Sequence, residues 1–397
     1  MPFLTFKRKE NFPSTKLAVV AMLNSFGIAS FDSIASIYLN TFFNNLAIIG
    51  MISSVMSFLS FLFYAFSTPI IVRFAEKRVW LISSIIMCSA YIIYSISSNI
   101  YLILVLMAIL LFSVSLQTQS LGIIVRDITK KSELNKAQGL LYALINVGWL
   151  IGPLIAAFIA ENSGFKSVFI LCSAFTYIAM IRFISIKIDN IPHGTENEGS
   201  VRDAINAFFG YFKDINRVKA YFLKGGITLY WSLIYLYMPL FIADKLGLKW
   251  VGIFLFAIAL PLVILEYPIG KVADKYGGRK IIMFGFFVLS FCSLLAFVFI
   301  DIWYAMIFFV FASFGAAFLE GTTEAYFFTI TDQKEEEKYY GPFQTSAKTL
   351  GILAKLAAAL VLFFFPEHVL YLFISCLMFF MILVAGTIKD NLVLETK

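Results

Sequence analysis

Stretches of about 20 consecutive apolar residues recur from one end of this chain to the other, and nothing constrains its folding more. At ~1.5 Å rise per residue, each is long enough to cross the ~30 Å hydrocarbon core of a bilayer as a helix. A backbone inside hydrocarbon must satisfy its own polar groups, which leaves only helices or a closed barrel. The runs are continuous, whereas barrel strands alternate polar and apolar over about 10 residues, so a barrel is excluded. The chain is 60% hydrophobic and 14% charged, against about 25% charged in soluble proteins. The fold class that follows is an all-α membrane protein. Twelve helices are expected, at about 17–40, 47–72, 79–97, 100–124, 138–160, 166–186, 218–243, 249–270, 280–299, 302–330, 342–365 and 368–388.

The cations choose the orientation. With a cytoplasmic N-terminus, only Lys166, Lys245 and Lys249 of the 31 Lys and Arg fall in outside loops. That is the positive-inside pattern, and it predicts two cytoplasmic termini on an integral protein of the plasma membrane. It also explains the net charge of +7 without a nucleic-acid partner. The first apolar run is too long for a signal-peptide core and is read as a retained helix. Cys88, Cys172, Cys292 and Cys376 lie in separate apolar runs without metal-ligand spacing. No nucleotide-binding loop or nucleophile–base constellation is visible, so neither an enzyme nor a metal or other cofactor is expected.

A polar stretch splits the chain. Residues 187–217 hold Pro192, Gly194 and Gly199, then Val201, Ile205, Phe208, Phe209 and Phe212 at helical spacing. The reading is a cytoplasmic linker (187–217) with a short amphipathic surface helix. It joins an N-terminal six-helix half (1–186) to a C-terminal six-helix half (218–397), a layout suited to a central site between repeats.

One connection has a specific sequence. Between the eighth and ninth apolar runs stand Gly270, Asp274, Lys275, Gly277, Arg279 and Lys280. The glycines suit a tight hairpin and the cations hold it on the cytoplasmic side. The order resembles the signature loop of the major facilitator superfamily, whose secondary transporters have twelve helices in two pseudo-symmetric halves. The other copy expected in that family, at residues 69–78, keeps Lys77 and Arg78 but has Pro69, Arg73 and Glu76 at the glycine and aspartate positions. The resemblance implies that Asp274 meets the start of the fifth helix, near Gly139–Tyr142, as a gate. Gly148, Gly152 and Pro153 in the fifth helix resemble the motif of exporters in the same superfamily; close packing of small residues accounts for them equally. Thr118 stands at about the place where many proton-coupled members carry an arginine.

The remaining evidence is charge inside the apolar runs. Asp32, Glu266, Glu320, Glu324, Lys348 and Lys355 all fall there. A charge at the bilayer centre costs about 2.5–3.5 kcal/mol, so such residues face a cavity or a partner. Glu320 and Glu324 share one helix face, as do Lys348 and Lys355. Depth counted from the loop between their helices matches Glu324 to Lys348 and Glu320 to Lys355, either as structural ion pairs or as a binding wall. Lys224 is placed near a helix end, where it would reach out to the interface. His193 and His368 lie outside the runs, so a proton relay must use the carboxylates Asp32, Glu320 and Glu324. Tyr230, Trp231 and Tyr235, with Lys348 and Lys355, are the candidates for contact with substrate.

The function expected is secondary active transport of a small organic solute by alternating access, as proton-coupled efflux of a drug-like or amphiphilic compound. An uptake permease for a sugar or organic anion is the alternative, and a non-transporting receptor or scaffold is the second. The partners expected are the lipid bilayer, a small-molecule substrate and protons, with the protein acting as a monomer.

Overall fold

The computed structural model describes residues 13–128, 134–186, 201–276, 278–331 and 335–388. Twelve helices run in order: α1 (Pro13–Phe43), α2 (Leu46–Phe74), α3 (Glu76–Ile96), α4 (Ile100–Ile128), α5 (Leu134–Ile184), α6 (Val201–Tyr211), α7 (Ile215–Leu246), α8 (Leu248–Tyr276), α9 (Gly278–Val298), α10 (Ile302–Ile330), α11 (Glu336–Phe364) and α12 (Val369–Gly386). No strand occurs among the described residues. Eleven of these helices are long and apolar enough to cross a membrane. The apolar part of α5, Leu140–Ile184, has 45 residues, or ~68 Å at helical rise, twice the bilayer core. It is broken at Gly164, whose φ of 78° only glycine adopts readily. α5 therefore supplies two crossings, and the protein is an all-α membrane protein with twelve spans. The eleven-residue α6 is the short helix expected in the linker.

The turns show why the spans end where they do. Asn44 takes the left-handed conformation (φ 44°) after α1, and Asn45 Oδ1 accepts from the N–H groups of Ala47 (3.0 Å) and Ile48 (3.2 Å) at the start of α2. Asn99 and Asp301 cap α4 and α10 in the same way. Ala75, between α2 and α3, sits at φ 65° and ψ 139°, a region that costs a residue with a Cβ of order 1–3 kcal/mol. The expected hairpin at 270–280 is shorter than the sequence reading had it. α8 runs on to Tyr276 and α9 starts at Gly278. Lys271, Ala273, Asp274 and Lys275 are compatible with helix, and α9 begins two residues after α8 ends. The side chains of Glu266, Asp274 and Lys275, and Gly277 itself, lie outside the described residues, and with them the contact expected between Asp274 and the fifth helix near Gly139–Tyr142.

By backbone proximity the chain forms two compact units. The first comprises Met1–Phe31, Leu62–Gly152 and Gly164–Gly194. Its core is Leu17, Ala21, Trp80, Leu121, Ile124 and Phe183, from α1, α3, α4 and α5, with the Trp80 and Phe183 rings stacked at 4.1 Å. Side-chain amides add to it: Asn24 donates to Gln117 Oε1 (2.8 Å), and Gln117 donates to Ser84 Oγ (2.8 Å). Gly148 and Gly152 lie against α1. A Cβ at Gly148 would strike the Ser25 hydroxyl and stand 2.8 Å from Phe26 N, and one at Gly152 would stand 3.0 Å from Phe26 O. Ser30 Oγ donates to Gly152 O at 3.1 Å. The fifth-helix motif thus lets two backbones approach closely.

The second unit comprises Asp32–Phe61, Pro153–Ser163 and Thr195–Lys397. At the end where α1 turns into α2 and α7 into α8, small residues again admit close neighbours. Gly50 lies beneath the Tyr237 hydroxyl, and a Cβ at Gly252 would stand 2.7 Å from Ala157 Cβ and 3.0 Å from Leu154 O. Gly247 (φ 94°) turns α7 directly into α8. The free N–H groups of that start are met by another helix: Glu161 Oε2 accepts from Leu248 N at 2.6 Å and Lys249 N at 3.3 Å. α6 is tied to the same unit by Tyr211, which is buried and donates to Arg217 O at 2.7 Å.

Capping side chains are worth about 0.5–2 kcal/mol. Glu161→Ala is therefore expected to lower the stability of the detergent-solubilised protein by about 1 kcal/mol, and Glu161→Gln, which still accepts, by less. Thermal unfolding of the three proteins side by side checks this; equal midpoints would show that Leu248 and Lys249 do not need the carboxylate.

Candidate functional site

Among the described residues, six charged side chains of the apolar runs gather in the second unit, in two groups. The first is built on α7, α10 and α11. Glu320 stands ten residues before the end of α10 and Lys224 nine residues after the start of α7. Both are therefore ~14–15 Å in from neighbouring helix ends. Lys224 Nζ lies 3.8 Å from Glu320 Oε2 and 3.6 Å from Glu324 Oε2, with the three side chains 13%, 26% and 32% exposed. Trp231 Nε1 donates to Glu320 Oε1 at 2.9 Å. Tyr340 Oη donates to Glu324 Oε1 at 2.6 Å, and Gln344 Nε2 to the same oxygen at 3.3 Å.

This differs from the pairing that depth along α10 and α11 predicted. Both glutamates face Lys224, and Lys355 donates to Ser57 instead of pairing with Glu320. The reason is the start of α7. Begun at 218, the helix puts Lys224 near its mouth; it begins at Ile215 behind an Asp214 cap, whose Oδ1 accepts from Asn216 N at 2.8 Å. Lys224 is then too deep to reach out, and its depth matches that of Glu320. The signal was present in the sequence as Asp214, an N-cap residue.

The second group lies further along the bundle. Asp32 stands nineteen residues after the start of α1, and Lys355 nineteen after the start of α11, each ~28 Å along its helix. Asp32 feels the charge of Lys355 and, less strongly, of Lys348. Lys355 Nζ donates to Ser57 Oγ of α2 at 2.9 Å. Asp32 and Lys348 are exposed despite their mid-span positions. Opposite charges inside a span favour one another's company, because hydrocarbon would penalise each separately.

Tyr235 links the two groups. It is half-buried and lies within electrostatic reach of both Asp32 and Glu320. Its ring is 5.6 Å from that of Trp231, centroid to centroid. Tyr230, expected beside them, is buried. It is 0% exposed and packs against Phe309 at 6.5 Å. One residue from Trp231 on a helix, it stands about 100° further round the axis. Its ring also meets that of Trp231 edge-on, with centroids 5.3 Å apart. Among the described residues no group of three or more His, Cys, Asp or Glu could hold a metal ion.

Comparison with known proteins places this arrangement. Residues 17–265 and 251–391 match the Major Facilitator Superfamily. The chain belongs to that family. Its members are transporters, so this is an integral membrane transport protein and not an enzyme. An uncharacterised MFS-type transporter of Methanocaldococcus jannaschii is 25% identical over 173 residues, which is 43% of this chain and 44% of that protein. The chain thus matches less than half the length of this curated relative. Among solved structures, a POT family transporter in complex with 5-aminolevulinic acid superposes with a TM-score of 0.78 at 11% identity, over 96% of both chains. A mutant of the nucleoside transporter NupG gives 0.76 at 12% identity, over 94% of this chain and 99% of that one. At these identities the likeness is one of fold.

The geometry predicts unequal costs of neutralisation. Lys224→Gln leaves two carboxylates facing each other and is expected to lose about 3–5 kcal/mol, as when a buried pair is broken. Glu320→Gln leaves Lys224 its second acid and should lose less. In a double-mutant cycle Lys224 and Glu320 should couple, whereas Glu320 and Lys355 should be additive. Thermal or denaturant unfolding of the wild type and the five variants in detergent decides it, and coupling confined to Glu320–Lys355 would reverse the assignment.

Proposed function

We propose that this superfamily member is a proton-coupled secondary transporter of small charged organic solutes, working by alternating access. The observation that supports this is Asp32 in mid-span, exposed and opposite Lys355 and Lys348. A carboxylate that neutralises lysines is also a gate on them. While Asp32 is ionised, part of the field of Lys355 and Lys348 is spent on it. When a proton binds Asp32, that field is released to an anionic group of the solute, and loss of the proton ejects the solute. Proton and solute are then coupled through one shared set of charges, without a histidine or arginine relay. Glu320, through Tyr235, extends the same set.

Two six-helix halves, 1–186 and 218–397, joined by 187–217, would move about this site, with both termini in the cytoplasm of a plasma-membrane monomer. The loop at 270–280 would gate the cytoplasmic side. Efflux of an amphiphilic compound is the second reading, favoured by the half-buried Trp231–Tyr235 ring pair, which offers a stacking face beside the charges. The fifth-helix glycines do not discriminate, since their packing on α1 accounts for them.

The test is solute accumulation in proteoliposomes with an imposed pH gradient of either sign. Asp32→Asn keeps size and hydrogen bonding but cannot titrate. It is expected to abolish gradient-driven accumulation while passive exchange continues. A mutant that still accumulates solute with wild-type pH dependence would remove Asp32 from the coupling step.

A further inference from the structure

The linker helix α6 is fastened to the same three helices that carry the Lys224 group. Tyr211 of α6 is buried, and its ring lies 6.2 Å from Tyr339 of α11, 6.1 Å from Tyr221 of α7 and 6.5 Å from Phe327 of α10. Gly210 lets α6 lie close, since a Cβ there would stand 3.3 Å from the Tyr339 hydroxyl. The Tyr211 hydroxyl donates to the backbone of Arg217, near the start of α7. The Arg217 guanidinium lies over the Tyr339 ring at 3.9 Å, with Asp214 Oδ2 at 3.6 Å and Glu335 Oε2 at 3.7 Å. Among the described residues neither its Nε nor its Nη1 has a hydrogen-bond partner, although both atoms are buried. The face of the ring and the two flanking carboxylates therefore hold this cation, rather than directed hydrogen bonds from those nitrogens.

Two consecutive residues of α11 have separate tasks. Tyr339 carries Arg217, while Tyr340 donates to Glu324 Oε1 at 2.6 Å and is joined there by Gln344 at 3.3 Å. On α7, Arg217 and Lys224 are seven residues apart, two turns or ~10.5 Å, and share one face. Between them the Tyr221 hydroxyl meets Thr345 Oγ1 of α11 at 3.3 Å. A contact that fixes the start of α7 against the start of α11 thus also sets where Lys224 stands relative to the carboxylate that α11 holds. Lys224 Nζ is 3.6 Å from Glu324 and 3.8 Å from Glu320, beyond the ~2.7–2.9 Å of a charge-assisted hydrogen bond, so the ions do not by themselves draw these helices together. We propose that Tyr211, Arg217 and Tyr339 are positioning residues for this charged group, a clamp by which the linker helix keeps Lys224 shared between Glu320 and Glu324. When the clamp opens, α11 carries Glu324 away through Tyr340 and Gln344, and Lys224 is left to Glu320. The linker thereby reaches charges inside the spans without touching them. The inference goes beyond the transport reading and does not need it.

The test is the energetic coupling between Lys224 and Glu324, measured by thermal unfolding of the full-length protein in detergent. Wild type, Lys224→Gln, Glu324→Gln and their double variant give the coupling with the clamp intact. The same set is then made with Tyr339→Leu and with Arg217→Gln. The expected result is clear coupling in the intact protein that falls to about half or less in either clamp variant. Tyr339→Phe keeps the ring beneath the guanidinium and should keep the coupling. A residue that only stabilises the fold would lower every midpoint together and leave the coupling unchanged. That outcome overturns the proposal, and so does absence of coupling in the intact protein. Tyr211→Phe removes only the hydroxyl that donates to Arg217 O; it supplies a milder third background, read by the same rule, should the other two not fold. No solute enters the measurement, so its result is independent of the flux test on Asp32, and failure of either leaves the other standing.

Discussion

Hydrocarbon tolerates neither an unpaired backbone group nor an isolated charge, and this intolerance sorts the residues of the protein. It forces every span into helix. It also forces the few charges inside those spans toward one another. Asp32, Lys224, Glu320, Glu324, Lys348 and Lys355 come from α1, α7, α10 and α11, yet each lies within the field of at least one opposite charge. A bundle without cargo would bury leucine at these positions at lower cost. Keeping three acids and three bases at the depth of the membrane makes sense where water and solute enter between them.

Close approach of helices is the second condition, and small residues meet it. Gly148 and Gly152 bring α5 onto α1, while Gly50 and Gly252 admit Tyr237 and the Leu154–Ala157 turn. Lipid offers no hydrophobic drive for helices to associate, so contact area and hydrogen bonds between them carry the packing. Ser30 on Gly152 O and Glu161 on the start of α8 show the two forms this takes. In the first a hydroxyl adds a bond to a carbonyl of the neighbouring helix; in the second a carboxylate meets N–H groups that the start of α8 leaves open.

Much of this was legible in the sequence, because hydropathy and charge act locally. The number of spans, the short linker helix and the charged positions inside the spans follow from runs of residues read one helix at a time. What was not legible depends on azimuth and on register between helices. Tyr230 and Trp231 are neighbours in sequence, yet one is fully buried and the other is half-buried and donates to Glu320, a difference set by a rotation of about 100° that composition does not report. Lys224 was misplaced because a three-residue error in the start of α7 changes depth by ~4–5 Å, enough to turn a partner of Glu320 into a surface lysine. The continuation of α8 through Tyr276 was missed for a related reason: polar residues mark where a helix leaves the membrane, not where it ends.

The equal number of acids and bases in the two groups has an electrical consequence. A charge moved through the whole of a 100 mV membrane potential changes in energy by about 2.3 kcal/mol. The six charges, three of each sign, present almost no net charge to that field when the protein turns over empty. On the proposed proton-coupled cycle, voltage would then act through the proton and the net charge of the solute rather than through the protein's own charges.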